Sequence, residues 1–76
     1  MKLQILGTGC AKCDKLYKHA QQALQELGIE VEVSKVTDLK EIMAFGVMVT
    51  PALVIDGQVK ASGKVPSVED IKTMIQ

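Results

Sequence analysis

The chain has 76 residues, 47% hydrophobic and 24% charged, with nine Lys against nine Asp plus Glu and no Arg. The balanced charge removes the positive field, and the missing guanidinium removes the bidentate fork, that nucleic-acid readers use. The chain is too apolar to be disordered, and no apolar run approaches the ~18 residues of a membrane span. The opening MKLQILGTGC has too short an apolar stretch for a signal-peptide core, and no small-residue cleavage site follows it. The expectation is one domain over residues 1–76, cytoplasmic and monomeric, with no nucleic-acid or membrane partner.

Residues 2–6, KLQIL, predict a strand, and Gly7-Thr8-Gly9 a turn. Cys13, Leu16, Tyr17, Ala20, Leu24 and Leu27 recur at spacings of three and four, the stripe of an amphipathic helix that Gly28 stops. Residues 29–33, IEVEV, alternate strictly and predict a half-buried strand. Thr37-Asp38 opens a short helix whose apolar side is Leu39, Ile42 and Met43, with Asp38 and Glu41 spaced as a capping box and Gly46 as the stop. Pro51 stands before a strong strand, residues 52–55, and Asp56-Gly57 is a hairpin signal that returns the chain through residues 58–61. Ser67 and Asp70 cap a last helix carrying Val68, Ile71, Met74 and Ile75. The order is β-α-β-α-β-β-α. It predicts an α/β fold with a four-stranded mixed sheet flanked by three helices. The first two strands are parallel with a right-handed crossover, and the last two form an antiparallel hairpin.

The two cysteines, Cys10 and Cys13, are three residues apart. A bridge between them closes too short a loop to stabilise the fold much, which points to chemistry or metal binding instead. The pair lies directly after the first strand, where the first helix opens. Free backbone N–H groups and the positive end of the helix dipole favour a thiolate at Cys10, while Cys13 falls on the apolar stripe one turn later. That asymmetry suits a division of roles: the Cys10 thiolate attacks a disulfide, and Cys13 then attacks the Cys10 sulfur and releases the reduced product. Lys12 lies between the cysteines and Lys15 beside them, which favours the thiolate, and Asp14 partly opposes them.

Thr50-Pro51 before a strand is a candidate cis peptide. Taken with the C-x-x-C and the strand order, the segments KLQILGTGCAKC, GVMVTPALVIDGQV and SGKVPSVEDIKTMI resemble the thioredoxin superfamily over essentially the whole chain. The resemblance is strongest to its minimal, glutaredoxin-sized archaeal and bacterial members, the redox-active disulfide proteins. It implies a thioredoxin-like fold and protein-disulfide reductase activity. Cys10 takes the place of the nucleophile and Cys13 of the resolving cysteine. Thr50 and Pro51 take the places of the cis-proline pair that faces the dithiol and meets substrate backbone. The implied partners are a disulfide-containing protein substrate and an electron donor, either a reductase or a low-molecular-weight thiol. No cofactor and no metal are expected. Gly9, Thr50, Pro51 and Gly63 are expected to bind substrate, with the surface around Gly9, Cys10, Thr50 and Gly63 forming a small apolar docking groove, and Lys12 to tune Cys10. The chain departs from its relatives in reading GCAKC where typical thioredoxins read WCGPC. It also has Gln4 where they carry a buried, proton-relaying Asp.

The main rival is a small C-x-x-C copper carrier. Two thiolates suit Cu(I), but such carriers place Met where this chain has Thr8, and their element order is β-α-β-β-α-β. A structural zinc site needs about four ligands, and the chain offers two Cys and one His. The remaining expectations are plain ones. Thr8 caps the first helix, Tyr17 lies in the core, His19 lies on the surface, and Met43, Met48 and Met74 fill gaps in the core.

Overall fold

The computed structural model describes residues 1–8 and 11–75, and Gly9, Cys10 and Gln76 lie outside the described residues. The elements are β1 (Leu3–Leu6), α1 (Ala11–Leu27), β2 (Val33–Val36), α2 (Leu39–Ala44), β3 (Ala52–Ile55), β4 (Gln58–Ser62) and α3 (Val68–Ile75). The sheet order is β2-β1-β3-β4. β1 and β2 are parallel across the α1 crossover, and the other neighbours are antiparallel. This is the mixed four-stranded sheet with three helices, in the order that the sequence predicts.

Alternation along the strands builds two cores. Leu3 and Ile5 pack with Leu16, Ala20 and Leu24 of α1 and Ile71 of α3 on one face. Leu6, Val36, Ala52 and Val54 pack with Ile42 and Val47 on the other. β3 lies inside the sheet, and all four of its residues are buried. Each fully buried Leu or Ile contributes about 1.5–3 kcal/mol of transfer free energy. Among the described residues no helix is long and apolar enough to cross a membrane.

Local chemistry accounts for the element ends. At the end of α1, Gly28 takes φ 70°, the Ile29 N–H donates to the Leu24 carbonyl and the Gly28 N–H to that of Gln25. This is the paired closure of a helix whose terminal glycine is left-handed. The Asp38 carboxylate accepts the Lys40 N–H at 2.8 Å and starts α2. Ser67 and Asp70 cap α3 reciprocally: the Ser67 hydroxyl accepts the Asp70 N–H at 3.1 Å, and the Asp70 carboxylate accepts the Ser67 N–H at 3.4 Å. Asp56 and Gly57, both with positive φ, make the two-residue hairpin turn.

Three expectations are corrected. The second strand is Val33–Val36, not residues 29–33. β1 begins at Leu3, which pairs with Val33, so residues before Val33 have no strand beside them; Ile29 and Val31 pack, half-buried, against the core without a ladder. Met43 and Met48 fill no gap. They are 59% and 89% exposed, and Leu39 is 61% exposed. The six-residue α2 turns only one face to the sheet, and Ile42 occupies it. Met74 does pack, half-buried, against the core. His19 is half-buried rather than on the surface, and its Nδ1 lies 2.9 Å from the Pro66 carbonyl oxygen. A carbonyl only accepts, so Nδ1–H donates and ties α1 to the loop before α3.

Candidate active site

One end of the sheet gathers the residues of interest. The last paired row is Val36, Leu6, Ala52 and Ser62. One step beyond it lie Thr37, Gly7, Pro51 and Gly63. Two hydrogen bonds carry the ladders into this second row: the Gly7 N–H donates to the Val36 carbonyl at 3.0 Å, and the Gly63 N–H to the Pro51 carbonyl at 2.9 Å. The first turn of α1 starts over the same end.

Cys13 is 5% exposed. Its sulfur lies against Gly7 so closely that a Cβ added at Gly7 would overlap Sγ. The same Cβ would stand 3.3 Å from Cys13 Cβ and 4.0 Å from Thr50 Cβ. Gly7 is therefore the floor between Cys13 and Thr50, and its missing side chain lets the three segments meet. The Thr50-Pro51 bond is cis; Thr50 is exposed and Pro51 buried. Gly63 has φ 74°, and a Cβ there would come 2.8 Å from Val49 Cγ1. Gly63 thus buttresses the segment that leads into Thr50-Pro51 and is itself exposed. Lys12 is exposed on the first turn of α1. The expectations placed on Gly9 and Cys10 fall outside the described residues.

Charge reaches Cys13 from two elements. Asp14 and Lys35 form an ion pair at 3.4 Å, and the Lys35 ammonium stands 4.5 Å from the centroid of the Tyr17 ring. Tyr17 is half-buried against the core, as expected. A cavity of about 20 Å³, lined by Ile5, Gly7, Cys13, Asp14, Lys35 and Thr37, lies beside the thiol. On the far side of Thr50, a groove of about 260 Å³ is lined by Thr8, Leu39, Ile42, Met43, Val47, Met48 and Thr50.

Sequence reasoning missed Gly7, the Asp14–Lys35 pair and the exposed Met43 and Met48. Gly7 reads as a turn residue, since nothing local says that a sulfur will settle on it. Lys35 is separated from Asp14 by 21 residues, and the misplaced second strand hid their proximity. The exposure of the two methionines has no signal in the sequence, where they read as core residues.

The sheet and helix order, with a buried cysteine in the first turn of α1 and a cis Thr50-Pro51 bond at the same end of the sheet, define a small α/β domain with a cysteine at its candidate site. A family model described as a thioredoxin domain matches residues 1–76. A thioredoxin from Methanothermobacter thermautotrophicus is 44% identical over 75 residues, which cover 99% of this chain and 97% of that protein. A thioredoxin from Methanocaldococcus jannaschii is 47% identical over 70 residues, 92% of this chain and 80% of that one. The chain belongs to the thioredoxin domain family. The copper-carrier alternative finds no support: the chain ends on a helix after its hairpin, and these matches are to thioredoxins.

Proposed function

We propose that this protein is a thiol–disulfide oxidoreductase that reduces protein disulfides. Cys10, the first cysteine of the C-x-x-C, attacks a substrate disulfide as the thiolate; one substrate sulfur leaves, and a mixed disulfide remains. Cys13 then attacks the Cys10 sulfur, closes the Cys10–Cys13 disulfide and releases the second substrate sulfur as a thiol. Substrate backbone lies along Thr50 and Pro51, with Gly9 and Gly63 leaving it room, and Lys12 adds positive charge beside Cys10. An external donor, a reductase or a low-molecular-weight thiol, returns the pair to the dithiol. The protein works as a cytoplasmic monomer.

The observation that carries this reading is the burial of Cys13 against Gly7, with Thr50 bordering the same glycine. A resolving thiol belongs under the substrate, shielded from competing disulfides and within reach of its partner in the same motif. The apolar groove lined by Leu39, Met43 and Met48 supports a protein as substrate, because flexible methionines adapt to varied apolar surfaces.

The test is a redox titration of the Cys10–Cys13 pair in thiol buffers, read by alkylation and mass. One two-electron transition at about −250 mV or lower fits a cytosolic reductase, and a value well above about −200 mV points to an oxidant or isomerase. Failure to form an intramolecular disulfide overturns the reading. Cys10→Ser should abolish turnover.

A further inference from the structure

We propose that Asp14, tethered by Lys35, is the base that takes the proton from Cys13 in the resolving step. The inference rests on the dithiol reading above. Cys13 must lose its proton before it attacks the Cys10 sulfur, and it is almost fully buried. Gln4, at the position where typical relatives carry an Asp, has no ionisable group. Its strand parity also sets it on the face of Leu6, opposite Ile5 and the α1 core.

The cavity beside Cys13 supplies another route. It holds about 20 Å³, room for one water molecule. Its wall is mostly apolar, from Ile5, Gly7 and side-chain carbon, with Asp14, Lys35 and Thr37 completing it. Among the described residues Asp14 is the one acidic residue of its lining. The charged residues bordering this space are Asp14 from α1 and Lys35 from β2, with the Tyr17 ring beneath Lys35; β1 and the residue after it contribute only Ile5 and Gly7. Lys35 is held from two sides, by the carboxylate and by the ring face, whose quadrupole attracts the ammonium. It therefore keeps Asp14 at the mouth of the cavity. The side chains of Lys35 and Asp14 are 49% and 59% exposed, so a proton received there passes on to solvent.

The step balances. The Cys13 S–H proton moves through one water to the Asp14 carboxylate. The Cys13 thiolate forms the S–S bond to Cys10 while the Cys10–substrate S–S bond breaks. The electron pair leaves on the substrate sulfur, which takes up a proton from solvent.

A stopped-flow reaction with excess dithiobis(nitrobenzoate) tests this. The first attack releases one coloured thiolate and resolution by Cys13 releases a second, so the two steps are read separately. Asp14→Asn is expected to retain the first phase and to slow the second at neutral pH by about tenfold or more, the lower range of general-base effects. The deficit should shrink as the solution becomes alkaline and Cys13 ionises unaided. Asp14→Glu should restore much of the second phase, and Lys35→Met should slow it by releasing the carboxylate. An Asp14→Asn second phase equal to that of the unsubstituted protein overturns the proposal. So does one slowed by a constant factor at every pH, since that marks a purely structural effect. An unsubstituted protein with no second phase overturns the dithiol reading itself, and this one with it.

Discussion

Gly7 shows how one missing methyl group shapes the site. Its neighbours are a sulfur that belongs to α1 and a Thr that precedes β3, so a Cβ there fits only if a buried sulfur on a short side chain is displaced. Gly7→Ala should cost about 1–3 kcal/mol, the usual penalty for overpacking a filled interior, measured by urea denaturation with both cysteines reduced. It should also change the alkylation rate of Cys13, because the sulfur must shift to make room. Gly63 differs: its positive φ and the nearness of Val49 argue for a backbone role. A larger residue there should perturb the approach to Thr50 more than it perturbs the core. Of the described residues gathered at this end of the sheet, Cys13, Thr50 and Pro51 were legible in the sequence because a C-x-x-C after a strand and a Pro before one are local patterns. Gly7, Asp14 and Lys35 were not, because their significance lies in which distant residue arrives next to them.

Polar side chains as well as the core hold α1 and α3 together. Lys72 of α3 reaches Glu26 of α1 at 3.0 Å and Glu69 of its own helix at 3.4 Å, and Gln22 donates to Glu26 at 2.9 Å. The hydrogen bond from Lys72, then that from Gln22, holds the Glu26 carboxyl below its ordinary value of 4.5. The bonds to Glu26 and Glu69 hold the Lys72 ammonium above its ordinary 10.5. A lowered carboxyl stabilises the fold above its unfolded-state pKa and loses that contribution as the pH falls through the lower folded value. Glu26→Gln should therefore give a small loss of melting temperature at neutral pH that vanishes in acid, below the ordinary carboxyl range. A loss that persisted unchanged in acid would mean that the pair is not its cause. The contribution is small because both partners are near solvent. The cap of α3 is more local: Ser67→Ala should cost about 1 kcal/mol, read from the shift in the denaturation midpoint.

The molecule as a whole separates its stable and its reactive ends. The core on the α1 and α3 face is continuous, while the groove-side face is covered only by the short α2 and the segment before Thr50. That thin cover leaves Leu39, Met43, Met48 and Val49 exposed next to the dithiol end. Replacing Met43 and Met48 together by Lys should leave stability and reduction of a small disulfide nearly unchanged, since both side chains are already in solvent. It should raise the KM for a protein disulfide several-fold. Equal loss on small and protein substrates would show that the groove does not dock them.

Hydrophobic alternation and turn chemistry were enough to place seven elements in order, because period, caps and a two-residue hairpin turn are properties of short stretches. IEVEV misled for the same reason. Its alternation is genuine and Ile29 and Val31 do pack inward, but a strand requires a neighbour, and β1 starts too late to provide one. The exposure of Met43 and Met48 depended on how much sheet α2 reaches. The contact of Cys13 with Gly7 depended on how tightly the first turn of α1 folds back on the end of β1, and that of Asp14 with Lys35 on the crossover that brings the end of β2 beside the start of α1. Local sequence thus carried the elements and the cysteine pair. The environment of Cys13 came from the packing of separate elements, Gly7 after β1, Thr50 before β3 and Lys35 on β2, which no local pattern encodes.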